Sequence, residues 1–459
     1  MSLEIKEKLA GRDNNNSNVS LGIHDLVTNN CPEHLLPNGK DIPVLNGQQA
    51  LSYDPDTGEQ FPAKIESFSV RRGVPCYKVT TSGGHSAIIG GNWSLLAYNS
   101  STGKLDHVSP ENALGKLLPV VKKREITGDR YTRELGWFYG ALISDGWWRN
   151  NMIGHSKTCK RKRDYFEHIA REQVHENFVC HTYHERTGVG KNKLGNSVKI
   201  HLNGIELAQR VINCVDETLP NKGRRALRKI IPSELLYGGS RCFLLGLLAG
   251  LLEGDGSVGW NKTYKNARAY IRYSTSSPRL VEDFRVLGTL LGFRVSVTVT
   301  PPRGLSQTAY NLSPSIPDMH ILFRELEFVS SRAQEFQNEF IELDEPRNDR
   351  DIVPVMVSEA KAAADYLPKA RDTPKELKIV YGAFRYTISH GSLSRDGAKK
   401  YLDYLPDTMC PELRRQVDND SIIWERYESV ERIISGDVYD LQLEGSEISV
   451  LENGLIVPV

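Results

Sequence analysis

The chain has 459 residues, of which 39% are hydrophobic and 25% charged. That composition excludes a largely disordered protein, and the length accommodates two to four domains of roughly 100–200 residues each. A net charge of +1 singles out no partner. No apolar run reaches the roughly 18 residues of a membrane span, and the opening MSLEIKEKLAGRDNNNS lacks the apolar core of a secretory signal. Seven cysteines, with no C-x-x-C pair, argue against a disulfide framework and for a reducing cytoplasm.

Along the chain, residues 1–19 are polar and Asn-rich and read as a disordered leader. Residues 20–124 read as all-β, with short alternating runs such as Cys76–Thr80 and Ser94–Tyr98 between turn signals such as Asp54-Pro-Asp-Thr-Gly58. From 125 to 355 helical patterns alternate with β-rich runs such as Arg268–Thr275 and Arg294–Thr300. Residues 356–416 read as helical, a linker or a helix-turn-helix-like DNA contact, and 417–459 return to β. A chain that begins and ends in one texture points to a β domain opened by a long insertion, an α+β multidomain protein.

The charge is unevenly spread. Between Arg149 and Lys229 there are 17 Lys and Arg against 8 Asp and Glu. Such a segment in a neutral protein is a candidate polyanion surface, with a solvated charged face as the alternative. The run Lys157, Lys160, Arg161, Lys162, Arg163 is a candidate for phosphate contacts. Cys180-His-Thr-Tyr-His184, with His155 and Cys159 upstream, matches no standard zinc spacing.

An internal repeat organises the insertion. Leu135-Gly-Trp-Phe-Tyr-Gly-Ala-Leu-Ile-Ser-Asp-Gly146 aligns without a gap to Leu245-Gly-Leu-Leu-Ala-Gly-Leu-Leu-Glu-Gly-Asp-Gly256. Gly136 and Gly140, and Gly246 and Gly250, are four apart and share one helix face. Each glycine costs roughly 1 kcal/mol of helix propensity, so two per helix point to close packing of the two helices. Asp145 and Asp255 are then expected at the helix ends, with Gly146 and Gly256 as left-handed C-caps. A carboxylate there opposes the helix dipole, and pairing the helices brings two carboxylates together. A cation between them, of the Mg²⁺ type, would be held by oxygen ligands and water, an arrangement suited to phosphodiester cutting. Ordinary solvated helix ends are the plain alternative.

These residues resemble the LAGLIDADG (dodecapeptide) homing endonucleases: Leu248-Ala-Gly-Leu-Leu-Glu-Gly-Asp-Gly256 is close to the family's motif and Phe138–Gly146 is a looser copy. The resemblance implies a monomer with two αββαββα units, over 131–232 and 241–354, that clasps double-stranded DNA. It implies that Asp145 and Asp255 are catalytic Mg²⁺ ligands. In Arg228-Lys-Ile-Ile-Pro232, Lys229 matches the family's lysine, with Lys222 as rival. Arg350-Asp-Ile-Val-Pro354 stands in the corresponding second place, with Asp351 where a lysine belongs and Arg350 or Arg347 as a substitute. Lys199, Arg268 and Arg272 are candidates for reading bases.

The flanks resemble the Hint (horseshoe) domain of polymerase-type inteins, in Ala50–Gly58, Tyr77–Thr81, Leu117–Val121, Asp420–Trp424, Asp437–Glu444 and Asn453–Val459. They depart from it where splicing chemistry sits. Ser20 or Cys31 stands for the first nucleophile, Trp93 falls at the T-x-x-H histidine, and Pro458-Val459 replaces the terminal His-Asn. The resemblance therefore implies an intein-derived endonuclease that no longer splices, with a self-splicing intein or a LAGLIDADG maturase or DNA-binding regulator as alternatives.

Overall fold

The computed structural model describes strands at 2–4, 8–12 and 18–22 and then residues 41–44, 48–55, 57–90, 94–149, 152–157, 159–174, 179–187, 195–203, 225–261, 268–302, 307–343, 350–368, 374–451 and 453–458. The chain divides into two compact units: Met1–Arg124 with Arg347–Val459, and Glu125–Pro346.

The discontinuous unit is built on two 22-residue strands, Gln60–Thr81 and Ile422–Leu443, which pair antiparallel from Thr81 opposite Tyr427 to Ile65 opposite Leu443. Their inward residues, among them Ile65, Phe68, Val70, Val79, Tyr439 and Leu441, form one apolar core. The leader read as disordered contributes strands here: Ser2–Glu4 pairs with 438–440, a ladder that needs only backbone N–H and C=O groups and no apolar side chains. Four helices, Val357–Tyr366, Lys375–His390, Arg395–Leu402 and Pro411–Asp418, share a second core around Phe384, Ala398 and Leu413.

The Arg350–Pro354 segment belongs to this unit. Strand Ile352–Pro354 pairs with Ser392–Ser394 and, through Ile352, with Trp424. Asp351 is buried and pairs with the Arg395 guanidinium at 3.1 Å. Arg395 also donates to the carbonyls of Gln416, Val417, Asn419 and Ile422, tying off the end of the last helix. With both side chains 7% exposed, Arg395→Ala leaves a carboxylate and several carbonyls without this partner. It is expected to destabilise this unit by about 3–5 kcal/mol, read as a lowered melting temperature.

The 125–346 unit shows the repeat in its topology. Each copy runs helix, hairpin, helix, hairpin. The first copy has Arg133–Asp145, Gly146–Arg149, Met152–Lys157, Lys160–Ile169, Val179–Thr187 and Gly195–Asn203. The second has Arg241–Glu253, Gly256–Asn261, Arg268–Thr275, Pro278–Leu291, Val295–Thr300 and Ala309–Pro314. Both four-stranded antiparallel sheets have the spatial order first, second, fourth, third. A single core, including Phe138, Phe166, Leu248, Tyr273, Phe284 and Phe340, joins the helices and the second sheet. Ser233–Gly238, Ile316–Leu322 and Ser331–Ile341 are further helices of the unit. Among the described residues no helix is long and apolar enough to cross a membrane.

Candidate active site

The two motif helices start alike. The Thr132 hydroxyl accepts from Leu135 N–H, and Ser240 does the same for Phe243. They meet along their glycines. A Cβ on Gly136 would overlap the Phe243 carbonyl and one on Gly246 the Arg133 carbonyl; one on Gly140 would strike Leu247 O and one on Gly250 Trp137 O. These partners are themselves equivalent positions of the two copies, so the contact carries the pseudo-two-fold of the sequence. Backbone lies on backbone, which any side chain would prevent.

This packing brings the two motif ends together, but through two differently built turns. The first helix includes Asp145, and Gly146 follows in extended conformation, φ −68° and ψ 152°. The second helix stops at Glu253, and Gly254 caps it through N–H bonds to Gly250 and Leu251 carbonyls. Asp255 then lies in the turn before the strand that opens at Gly256. The expected left-handed caps are therefore corrected: neither Gly146 nor Gly256 is among the positive-φ glycines. Both are required by space instead, because a Cβ would overlap the Leu142 or Leu252 carbonyl.

Ser144 occupies the notch left by the missing Gly254 side chain, and Asp145 Oδ2 would stand 3.2 Å from a Cβ there. The Ser144 hydroxyl lies 3.2 Å from Leu251 O, to which it donates, and 3.3 Å from the Tyr273 hydroxyl. Tyr273 is fully buried and stacked on Phe284. Its phenol is held well above the ordinary range, first by burial and then by the Asp255 charge, with Asp145 adding to the effect. Tyr273 thus lies behind Ser144, within electrostatic range of both carboxylates.

Lys229 closes the site. Its ammonium donates to the Ser144 carbonyl and lies 3.4 Å from Asp255 Oδ2. The Lys229 side chain is 14% exposed and that of Asp255 37%, so the carboxylate is the accessible partner. The lysine backbone is pinned: Ser277, the N-cap of the following helix, donates to Lys229 O at 2.6 Å, and Ile231 N–H donates to buried Asp283 at 2.8 Å.

The other sequence candidates fall in several places. Lys160 and Arg161 are exposed on the first turn of helix Lys160–Ile169, whereas Lys162 turns inward to donate to the Glu253 carbonyl at 2.7 Å. Arg163 follows on the same helix, half-buried. Arg272 is exposed on the second sheet opposite Ser257. Lys157, Lys199 and Arg268 lie on strands opposite Val198, Ser156 and Asn261. Arg350 is exposed but belongs to the discontinuous unit. Ser20 lies on strand Asn18–Gly22 and Pro458 on strand Ile456–Pro458, while Cys31, Trp93, Lys222, Arg347 and Val459 lie outside the described residues. His85 is buried in the discontinuous unit with Nδ1 2.9 Å from Glu425 Oε2, and Thr81 donates to the same oxygen.

Sequence reasoning missed Ser144, Tyr273 and Glu253. Ser144 and Glu253 sit inside the motifs at positions where the copies differ, and that mismatch was the available signal. Tyr273 carried none, since one tyrosine in an alternating strand is indistinguishable from packing.

Comparison with known proteins agrees with the second repeat. Residues 243–339 match the family of the LAGLIDADG-like domain. The match runs from the second motif helix to the helix at 331–341. A stretch of 77 residues, 17% of the chain, is 42% identical to the ATP-dependent DNA helicase Hel308 of Thermococcus kodakarensis, and the chain spans 7% of that helicase's length. Among solved structures, the homing endonuclease I-DmoI aligns at 12% identity and a TM-score of 0.28, covering 42% of this chain and 94% of that one. The N-terminal LAGLIDADG domain of DUF199/WhiA aligns at 12% and 0.29, covering 45% and 90%. A transcription factor IIB mini-intein aligns at 9% and 0.23, covering 27% and 69%.

Proposed function

We propose that this protein is a site-specific DNA endonuclease that cuts both strands of its target by hydrolysis at the junction of the two motif helices. One observation supports this above the rest: the glycine faces bring Ser144-Asp145 against Gly254-Asp255, with Lys229 spanning the Ser144 carbonyl and the Asp255 carboxylate. Both acids come from one chain, so a monomer suffices.

The donor set fits a hard divalent cation. Asp145 and Asp255 offer carboxylate oxygens; among the described residues no group of three or more His, Cys, Asp or Glu gathers here or elsewhere, so a cation held by this pair would draw its remaining ligands from water and phosphate. Mg²⁺ takes one or two carboxylates and completes its shell with water and phosphate oxygens. Bound by Asp145 and Asp255, it would supply charge neutralisation at the scissile phosphate and a more acidic water. Lys229 orients the Asp255 carboxylate and adds positive charge where the pentavalent phosphate gathers negative charge. Tyr273 lies behind Ser144. Lys160, Arg161 and Arg163, with Arg272 on the second sheet, attract the duplex, contributing affinity that falls with salt. Hydrolysis adds water across one P–O bond of each strand.

We read the chain as intein-derived. What supports this is the discontinuity of the β unit, whose two ends are zipped through 60–81 and 422–443. By the family resemblance, cutting would let the encoding gene copy itself into an empty allele.

The test is cleavage of a randomised target library with Mg²⁺ against EDTA. Discrete metal-dependent cuts establish the endonuclease; binding without cuts supports a regulator or maturase. Because Lys229 orients a metal-ligating carboxylate, Lys229→Met is expected to slow one strand cut about 10–100-fold, seen as nicked plasmid ahead of linear product. Equal slowing of both strands would remove Lys229 from a half-site role.

A further inference from the structure

We infer that Glu253, braced by Lys162, is a positioning residue for Asp255 and sets the rate of one of the two strand cuts. The inference rests on the endonuclease reading and deepens it.

The two copies differ at this position. Ile143, fully buried in the core, stands in the first motif where Glu253 stands in the second. The Glu253 side chain is 2% exposed, yet it is a carboxylate. Burying a charge is costly unless it is paired and hydrogen-bonded, and here every direction is served. Oε2 accepts from Trp137 Nε1–H at 2.7 Å and from Val329 N–H at 2.9 Å, and Oε1 accepts from Ser330 N–H at 2.8 Å. Lys162 Nζ lies 3.7 Å from Oε1 while donating to the Glu253 carbonyl at 2.7 Å.

These contacts do two things. Val329 and Ser330 lead into helix Ser331–Ile341, whose N-cap Ser330 makes no side-chain cap, so Glu253 supplies the anion that this N-terminus lacks. Lys162 sits in the first turn of a helix with no acid in that turn, the unfavourable end for a cation, and Glu253 offsets this. Glu253 therefore ties the end of the second motif helix to the first motif helix through Trp137, to 160–169 and to 331–341. Two residues later comes Asp255. Asp145 needs no such brace, because it is still on its helix. Asp255 lies beyond its helix and takes its position from the turn that Glu253 anchors. A cleft of about 130 Å³ lies beside the brace, lined among others by Lys162, Glu253, Ser257 and Arg332.

The experiment uses full-length protein and a supercoiled plasmid carrying the target that the library identifies. Glu253→Gln keeps the shape but turns an amide N–H₂ toward backbone N–H groups. It is expected to slow one strand cut about tenfold relative to the other, the equivalent of about 1.4 kcal/mol in that barrier, so nicked circles accumulate. The Mg²⁺ midpoint by calorimetry should rise, and amide exchange at Val329 and Ser330 should accelerate. Lys162→Met should give the same strand bias, and Glu253→Asp should restore it in part. Equal slowing of both strands, or faster exchange without strand bias, overturns the positioning role and leaves Glu253 as scaffold. If Glu253→Gln does not fold, Lys162→Met decides alone by the same two criteria. Failure of the wild-type protein to cut any target would instead overturn the endonuclease reading itself.

Discussion

Replacing Asp145 and Asp255 together by Asn is expected to abolish double-strand cleavage, by on the order of 10³-fold or more, while DNA affinity is retained. The two carboxylates are what the helix junction offers a divalent cation, and a metal contributes several kcal/mol to a phosphodiester transition state. Each step of about 1.4 kcal/mol is tenfold in rate, so losing the metal accounts for the expected effect. Asn preserves volume and one acceptor, so the glycine-faced packing survives. Asp145 stands at the end of its helix, where a negative charge opposes the dipole by about 0.3–1 kcal/mol. Neutralising it should leave the melting temperature unchanged or slightly raised. Activity lost with stability kept would mark the acids as functional rather than structural. Single variants should nick, since one acid remains. Cleavage by the double variant at the wild-type rate would overturn the assignment, and a plasmid assay with a parallel thermal melt reads both quantities.

The second large effect concerns the glycine faces. In an ordinary exposed helix, Gly→Ala gains about 1 kcal/mol of propensity. Gly382, in the middle of Lys375–His390, is such a site: a Cβ there meets nothing within 4 Å. Gly382→Ala should therefore stabilise. Gly250→Ala carries the same propensity gain, but its Cβ would overlap the Trp137 carbonyl and crowd Ala141 N. Those are backbone atoms of a helix whose neighbours hold it in place, and they cannot swing aside as a side-chain tip would. Overpacking costs of about 1–3 kcal/mol or more exceed the gain, so the net sign reverses. Gly250→Val, with two further methyl groups, should exceed the alanine cost by at least about 1 kcal/mol and also separate Asp145 from Asp255, losing cleavage with stability. Denaturant unfolding of the three variants checks the order: Gly382→Ala above wild type, Gly250→Ala below, Gly250→Val lowest. An alanine at 250 that stabilised like the one at 382 would show that the helices are not in backbone contact.

The sequence was most legible where chemistry repeats at a fixed offset. The i, i+4 glycines and the following Asp-Gly recur in both copies, and the same offset relates the backbone atoms on which those glycines lie. Helical faces are local, so a turn or two of sequence is enough to read them. The cap geometry was not legible, because Asp-Gly at a helix end is compatible with a left-handed cap and with a strand start. What selected the strand was sheet pairing with distant partners, Gly146 opposite His155 and Gly256 opposite Tyr273.

The Arg350-Asp-Ile-Val-Pro354 segment shows why a local pattern has limits. Taken alone it reads as a second copy of Arg228–Pro232. In the folded chain its backbone pairs with 392–394 and its Asp351 turns to Arg395, partners far along the chain that leave no trace near the motif. Basic residues behaved alike: Lys160 to Arg163 form one run, yet Lys162 turns inward to the distant Glu253. Residue type and short spacing are therefore enough for the duplicated helix faces and for the two acids that come with them. Which charges face inward, how each aspartate leaves its helix, and that Glu253 and Tyr273 stand behind them emerge only on folding, because burial and ion pairing are set by residues distant in the chain.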